Sequence, residues 1–431
     1  MNSKNPRQIA LRVLQARREG AFTETLLEQA LDPAKTRVSA LDRGLCQELV
    51  YGVVRRQATL DWLIIQKTEG RRQSTGIQNL LRLGLYQIFW LDKIPPHASV
   101  HETVELAKCE GYGPKAGFIN AVLRGYLREF DATKKALADL KASNPALGFS
   151  HPQWLVEKWQ KHFGHEHTAQ LLEWNNTPPK TFARVNTLKI NAGKLIEKWR
   201  DENVEYDFAR HSFLPENTMF ELKAHPPLSS LASFRDGWFY VQDPSTLLAP
   251  LELAPQPGET ILDLCAAPGG KATFMAQQMN NGGKIVAGDV AEERLKLIQE
   301  NCQRLGVACV ETILNSKLKI EKPEFDKILI DAPCSNTGVL RRRVDLRWRV
   351  SPEEILRLQK AQLDLLKQAA PMLRPGGTLV YSTCSLEPEE NTIVVQEFLS
   401  GHPGFKLERE RELLPFSDNA DGAFVARLKS P

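Results

Sequence analysis

The seven cysteines of this 431-residue chain form no Cys-x-x-Cys pair. The spacing that holds a structural zinc ion or seeds a disulfide framework is therefore missing, and reduced thiols remain. No apolar run approaches the roughly 18 residues of a membrane helix, and Met1 to Gly20 is polar rather than signal-like. The expectation is a cytoplasmic monomer with neither membrane nor metal among its partners. His162, His165 and His167 have no cysteine nearby and no acid at a matching ligand spacing, since Glu166 merely separates two of them, so a structural role is the better reading for them. Net charge is only +4, but it is uneven. Residues 1–130 carry 19 Lys and Arg against 13 Asp and Glu, while the remainder carries 37 against 39. That N-terminal excess permits nucleic-acid binding without requiring it.

What is present is ordinary for a globular protein, at 42% hydrophobic and 25% charged residues, and the length suggests two to four domains. From Gln8 to about Phe130 apolar residues recur at spacings of three and four, as in Leu41, Leu45, Leu49 and Val53, which predicts an all-helical bundle over residues 1–130. Arg55-Arg56 and Arg71-Arg72 can face phosphates there, or simply sit on a solvated surface. Residues 131–150 are rich in Ala, Lys and Asp and read as a linker with one helical segment. Residues 151–236 mix a helix with short strands and read as a small α+β domain. Within it Phe182 and Arg184 can meet a base, although an aromatic on a strand is more often core.

From residue 237 to 431 strands and helices alternate, which implies a doubly wound α/β fold with a parallel sheet. Ser351-Pro-Glu-Glu354 is a capping box that starts a long helix, stopped by Pro375-Gly-Gly377. Ile328-Leu-Ile330 reads as a buried central strand that delivers Asp331 and Cys334 to the carboxyl edge of the sheet, where ligands bind in such folds. A second apolar strand, Thr378-Leu-Val-Tyr381, delivers Cys384. Cys265 to Lys271, a Gly-rich turn between the first strand and the first helix, lacks the Gly and Ser or Thr of a P-loop, since Cys265 and Ala272 occupy those positions. Asp289 ends the next strand, where an acid meets ribose hydroxyls in dinucleotide-type sheets. Without the cysteines, that turn and that acid fit a dehydrogenase equally well.

Two thiols and an acid suit one chemistry in particular. Cytosine C5 is too poor a nucleophile to accept a methyl group until a thiolate adds at C6, so covalent catalysis is required by the substrate. A free thiol ionises near pH 8.5, which favours a nucleophile close to a helix N-terminus, and Cys384 precedes Pro388-Glu-Glu390, the start of another predicted helix. Asp331 can hydrogen-bond the N3 and N4 edge of the base, and a second thiol can assist release.

Asp331-Ala-Pro-Cys-Ser-Asn-Thr-Gly338, Thr383-Cys-Ser-Leu-Glu-Pro-Glu-Glu-Asn391 and Leu264-Cys-Ala-Ala-Pro-Gly-Gly-Lys271 resemble the motifs of bacterial RNA cytosine-C5 methyltransferases. The similarity is greatest to the ribosomal small subunit methyltransferase B family, also called Fmu or Sun. It extends to Val241-Gln-Asp243, Arg341-Arg342 with Asp345 and Trp348, and Asp421-Gly422. It also covers Leu41-Asp-Arg-Gly44, Glu48 to Arg55 and Ile94-Pro-Pro-His97, which resemble that family's NusB-like RNA-binding bundle.

The resemblance implies a Rossmann-like methyltransferase domain, a methyl donor in S-adenosylmethionine (leaving as S-adenosylhomocysteine) and a partner in small-subunit ribosomal RNA. Cys265, Ala266, Ala267, Pro268, Gly269, Gly270, Lys271, Asp289, Asn315 and Asp331 would hold the methyl donor. Cys384 would be the nucleophile, Cys334 the product-release thiol, and Asp331 would lie beside both base and methyl donor. Arg341, Arg342 and Lys271 would contact RNA. Two departures from the family pattern stand out: Asn315 replaces the usual acid after the third strand, and Arg341-Arg-Arg-Val-Asp345 replaces Arg-Arg-His-Pro-Asp. A transfer-RNA methyltransferase of the same chemistry and a non-catalytic assembly factor remain as rival readings. An amino-group methyltransferase does not, because the Asp/Asn-Pro-Pro-aromatic tetrad is absent.

Overall fold

The computed structural model describes residues 5–17, 21–32, 38–318 and 323–431. The chain divides into two compact units, Met1–Pro178 with Arg341–Arg349, and Pro179–Leu340 with Val350–Pro431.

The first unit is helical: α1 (Pro6–Ala16), α2 (Thr23–Ala30), α3 (Ala40–Arg55), α4 (Gln57–Lys67), α5 (Thr75–Trp90), α6 (Pro96–Cys109), α7 (Ala116–Arg128), α8 (Phe130–Ser143), α9 (Pro145–Gly148) and α10 (Gln153–Asn176). Short polar side chains start several of them, such as Ser39, whose hydroxyl accepts from the Asp42 amide at 3.1 Å. α5 is apolar nearly all round and is accordingly central, with Leu80, Leu81, Leu83 and Leu85 at most 1% exposed. Residues 131–150 are not the expected linker. They form α8 and α9, because Asn144 caps α9 through the Leu147 amide at 3.1 Å and Pro145 sits at its first position. α10, expected with the α+β domain, belongs to the helical unit and is broken at Gly164, where φ is +80°.

The segment Arg341–Arg349 also belongs to this unit. Arg347 is fully buried and donates to the backbone oxygens of Arg55 at 2.9 Å, Ser150 at 3.2 Å and Asn175 at 2.9 Å, and to Asn176 Oδ1 at 3.0 Å. Arg55 and Asn175 lie in the last turns of α3 and α10, so one guanidinium satisfies carbonyls that two helices leave open and meets the negative ends of their dipoles. Asp345 accepts from Arg17 at 2.8 Å and from the Thr23 amide at the start of α2 at 2.5 Å. Arg341 is therefore not the exposed phosphate contact expected of it: it is 3% exposed, its guanidinium 3.9 Å from the centre of the Trp174 ring. Arg342 is half-buried in the same segment. Arg55 and Arg56 are buried as well, whereas Arg71 and Arg72 are exposed.

The second unit contains two sheets. β1 (Thr181–Val185), β2 (Glu205–Phe208), β3 (Met219–Ala224) and β4 (Phe239–Val241) pair antiparallel in the order β2-β3-β1-β4, with α11 (Ala192–Asp201) packed through Leu195 and Trp199. Arg184 on β1 makes no outward contact. It is fully buried, donates to Gly270 O at 2.8 Å, Gln242 Oε1 at 2.6 Å and Thr273 Oγ1 at 3.1 Å, and is lowered to about 9 by burial. Arg184 is thus a strut that pins the Gly-rich turn rather than a base contact, and Phe182 is core, the reading favoured for an aromatic on a strand.

The larger sheet follows α12 (Ala232–Arg235) and α13 (Leu248–Leu253). It comprises β5 (Thr260–Asp263), β6 (Lys284–Asp289), β7 (Val310–Leu314), β8 (Phe325–Asp331), β9 (Leu373–Thr383), β10 (Lys406–Leu413) and β11 (Ala423–Lys429). The order is β10-β11-β9-β8-β5-β6-β7. Five strands are parallel, as a doubly wound sheet requires, and β10 and β11 join β9 as an antiparallel edge. A short connection between β10 and β11 permits a hairpin, whereas parallel neighbours need a crossover. α14 (Gly270–Gln278), α15 (Glu292–Leu305), α16 (Pro352–Ala369) and α17 (Thr392–Gly401) belong to this unit, as does the single-turn α18 (Pro415–Asp418). Ile328, Leu329 and Ile330 are fully buried, as a central strand requires. Among the described residues no helix is long and apolar enough to cross a membrane.

Replacing Arg347 by Ala should destabilise the helical unit by about 3 kcal/mol or more, since several buried carbonyls lose their donor together. Arg347→Lys should recover little, because an ammonium cannot reproduce the planar fork. Denaturant unfolding followed by helix circular dichroism measures both.

Candidate active site

β8 and β9 are parallel with Asp331 opposite Ser382, and the Ala332 amide donates to Ser382 O at 2.8 Å, so both chains leave the sheet at the same edge. The expected convergence follows: Cys334 Sγ and Cys384 Sγ lie 3.3 Å apart. Asp331 sits beside them with both oxygens engaged, one by Lys271 Nζ at 2.6 Å and one by the Ser382 hydroxyl at 2.9 Å. Burial works against the charge on Lys271, but the attraction of Asp331 prevails and holds its ammonium above the usual lysine range. Lys271, expected at both methyl donor and RNA, thus spends its charge on Asp331.

A buried wall fixes the thiols from behind. Glu390 is fully buried and accepts from the Ser335 amide at 2.8 Å, from Gln362 Nε2 at 3.0 Å, and from the hydroxyls of Ser335 and Ser385. Burial raises its carboxyl above the ordinary range, against the pull of those bonds. The Gly338 amide donates to Cys384 O at 2.9 Å and the Gly422 amide to Gly338 O at 2.9 Å. A Cβ on Gly338 would lie 2.7 Å from Cys384 O and 2.8 Å from Gly422 Cα. Both glycines of the sequence motifs are therefore required by close backbone approach. The helix expected at Pro388 begins only at Thr392, after a 3-10 turn. Cys384 instead donates its S–H to Asn336 Oδ1 at 3.1 Å. Cys334 is pushed well up, first by its hydrogen bond with Cys384 and then by burial. It therefore keeps its proton more tightly than a free thiol.

The turn from Cys265 to Lys271 lies at the same edge. The Ala266 amide donates to Gly288 O at 2.9 Å, and Gly269, at φ +101°, opens α14. Asp289 accepts from the Ala267 amide at 3.1 Å and from Arg294 Nε at 2.7 Å, which binds the turn to the end of β6. Asn315 donates through Nδ2 to Leu264 O at 2.9 Å, and its Oδ1 is buried without a partner. Cys265 is pushed up by burial and by Asp263, Asp331 and Asp289, which keeps that thiol protonated.

Sequence reasoning missed Asp263, Asn336, Ser382 and Glu390. Asp263 is fully buried, and neither carboxylate oxygen has a hydrogen-bond partner. Burial, then the charge of Asp331, raises it to about 7. Its acid type and its place at the end of the first strand were visible; its lack of partners was not. Two orphaned buried acceptors, on Asp263 and Asn315, and a Gly-built turn fit a ligand that carries cationic and N–H groups.

The profile of the 16S rRNA methyltransferase RsmB/F family matches residues 250–429, that of the NusB family residues 4–128, and that of the RsmF/B-like ferredoxin-like domain residues 151–217. A probable ribosomal RNA small subunit methyltransferase B of Bacillus subtilis (strain 168) is 34% identical, covering 100% of this chain and 99% of that one. The chain belongs to the ribosomal RNA small subunit methyltransferase B family. A second member, from Escherichia coli O127:H6, is 37% identical, covering 93% of this chain and 94% of that one. The crystal structure of NSun6 from Pyrococcus horikoshii with SFG superposes at a TM-score of 0.58 and 25% identity, covering 65% of this chain and 98% of that one. Ribosomal RNA small subunit methyltransferase B enzymes depend on S-adenosylmethionine, and the NusB-like, ferredoxin-like and methyltransferase domains occur here in that family's order.

The Asp263 carboxyl ionises in the unfolded chain near the ordinary aspartate value of 3.8 but in the folded chain only near 7, so stability declines as pH rises through that interval. Asp263→Asn should match the parent below about pH 4 and exceed it above about pH 7 by about 2–4 kcal/mol. Thermal unfolding across that range tests the sign.

Proposed function

We propose that this protein methylates C5 of a cytosine in small-subunit ribosomal RNA through a covalent adduct between Cys384 and C6 of the base. The observation that carries the reading is the pair of thiols 3.3 Å apart beside the Asp331–Lys271 pair, in a chain that belongs to a ribosomal RNA methyltransferase family. S-adenosylmethionine, when bound, supplies an electrophilic methyl group. Asp263, the turn from Cys265 to Lys271, Asp289 and Asn315 would hold it, and the orphaned acceptors on Asp263 and Asn315 support that fit.

The residues then act in sequence. Cys384 loses its proton to water and its sulfur pair bonds C6, moving the C5–C6 π pair onto C5, which becomes nucleophilic. Asp331, oriented by Ser382 and Lys271, offers a carboxylate oxygen that accepts from the N4 amino group of the base and so fixes the ring for addition. After methylation the C5 proton leaves to a base, the C5–C6 double bond re-forms, and Cys384 departs as thiolate. Cys334, which holds its proton tightly while paired with Cys384, supplies a proton to the departing sulfur or, once ionised, accepts one from C5. The target base must first leave its stack, at a cost of a few kcal/mol.

With labelled S-adenosylmethionine and unmodified small-subunit RNA, Cys384→Ser should reduce transfer to background, and Cys334→Ser should accumulate a protein–RNA adduct resistant to denaturing electrophoresis. The reverse pattern would exchange the two roles. Transfer to transfer RNA alone, in the same assay, would move the substrate to another class.

A further inference from the structure

The hydrogen bond between Cys384 and Asn336 has a direction that the neighbouring geometry fixes. Asn336 Nδ2 donates to Cys334 O at 2.6 Å, so the amide cannot turn over without setting its oxygen against that carbonyl. Oδ1 must therefore face Cys384, whose sulfur is 3.1 Å away. Asn336 adopts the left-handed backbone conformation, at φ +59°, which carries its side chain back over the turn between the two cysteines. An amide oxygen accepts hydrogen bonds and is no base at neutral pH. It stabilises the thiol of Cys384 and repels the thiolate.

We propose that Asn336 is a positioning residue that engages and aims the Cys384 S–H while no RNA is bound, so that the sulfur attacks only when the hydrogen bond to the amide oxygen is given up. This rests on the reading of Cys384 as the nucleophile. The other charged and titratable groups around the sulfur are Cys334 on the turn after β8, Lys271 on α14, Asp331 at the end of β8 and Glu390 behind the thiols. Lys271 is close enough to attract a negative sulfur, and Cys334 is hydrogen-bonded to it. The Asn336 oxygen occupies the Cys384 S–H itself, so that hydrogen bond must break before the proton can leave. The cost in resting reactivity protects the sulfur from alkylation and oxidation between turnovers.

The test is alkylation of the full-length, RNA-free protein by iodoacetamide, with Cys384 and Cys334 quantified separately by peptide mass spectrometry between pH 6 and 10. Asn336→Gly suits the positive φ and should fold, which a melting curve checks. At pH 7 it should alkylate Cys384 about three- to tenfold faster than the parent, the effect of one lost neutral hydrogen bond. The advantage should shrink toward unity near pH 10, where loss of the S–H removes the hydrogen bond in the parent too, and Cys334 should gain much less. Asn336→Asp places a carboxylate at the same spot and should slow Cys384 at pH 7 below the parent. An unchanged or slower Cys384 in the Gly variant overturns the proposal. So does a common acceleration of both cysteines that persists at pH 10, which would mean a merely loosened turn. Because the readout needs no RNA, absence of methyl transfer by the parent would sink the functional reading and still leave the alkylation profile to decide the role of Asn336.

Discussion

The parallel register of β8 and β9 is the constraint on which the site depends. With Asp331 opposite Ser382, the two chains emerge together, and cysteines 50 residues apart in sequence come within 3.3 Å. A shift of one residue would send the side chains of either strand to the opposite face and part the thiols from the acid. The fully buried Ile328–Ile330 and Leu379–Tyr381 fix that register by their packing. The Gly338–Gly422 approach and the Glu390 network then hold the turns beyond the strand ends, where no sheet hydrogen bonds remain to do so.

Charge at this edge is arranged in two ways. Asp331 is neutralised by Lys271 and oriented by Ser382, which keeps it an acceptor with a defined aim. Asp263, fully buried and with no side chain hydrogen-bonded to its oxygens, is pushed toward protonation by burial and by the charge of Asp331. A carboxyl in that condition gains most from an incoming cation, and this gives the proposed methyl-donor site a physical basis in the protein alone.

Arginine illustrates how composition can mislead. Arg55, Arg184, Arg341 and Arg347 all lie in stretches that read as nucleic-acid contacts or their neighbours, and all four are at most 4% exposed. Each acts inward: Arg184 on the Gly-rich turn, Arg347 on helix C-termini, Arg341 on the Trp174 ring. Sequence records the charge of a guanidinium but not whether backbone carbonyls elsewhere in the chain will consume it.

The sequence by itself determined the central strands over Ile328–Ile330 and Thr378–Tyr381 and the long helix from Pro352, since hydrophobic period and caps act within a few residues, and it offered Cys265 to Lys271, Asp331, Cys334 and Cys384 as candidates because turn glycines and reactive residues at strand ends are local signals. Tertiary structure alone decided that residues 341–349 pack with the N-terminal helices, that β10 and β11 close the sheet antiparallel, and that Asp263, Asn336 and Glu390 belong to the site. Those facts depend on which polar groups find partners across distant stretches of chain. Desolvation and hydrogen-bond direction are properties of the folded environment, so no residue's own chemistry announces them.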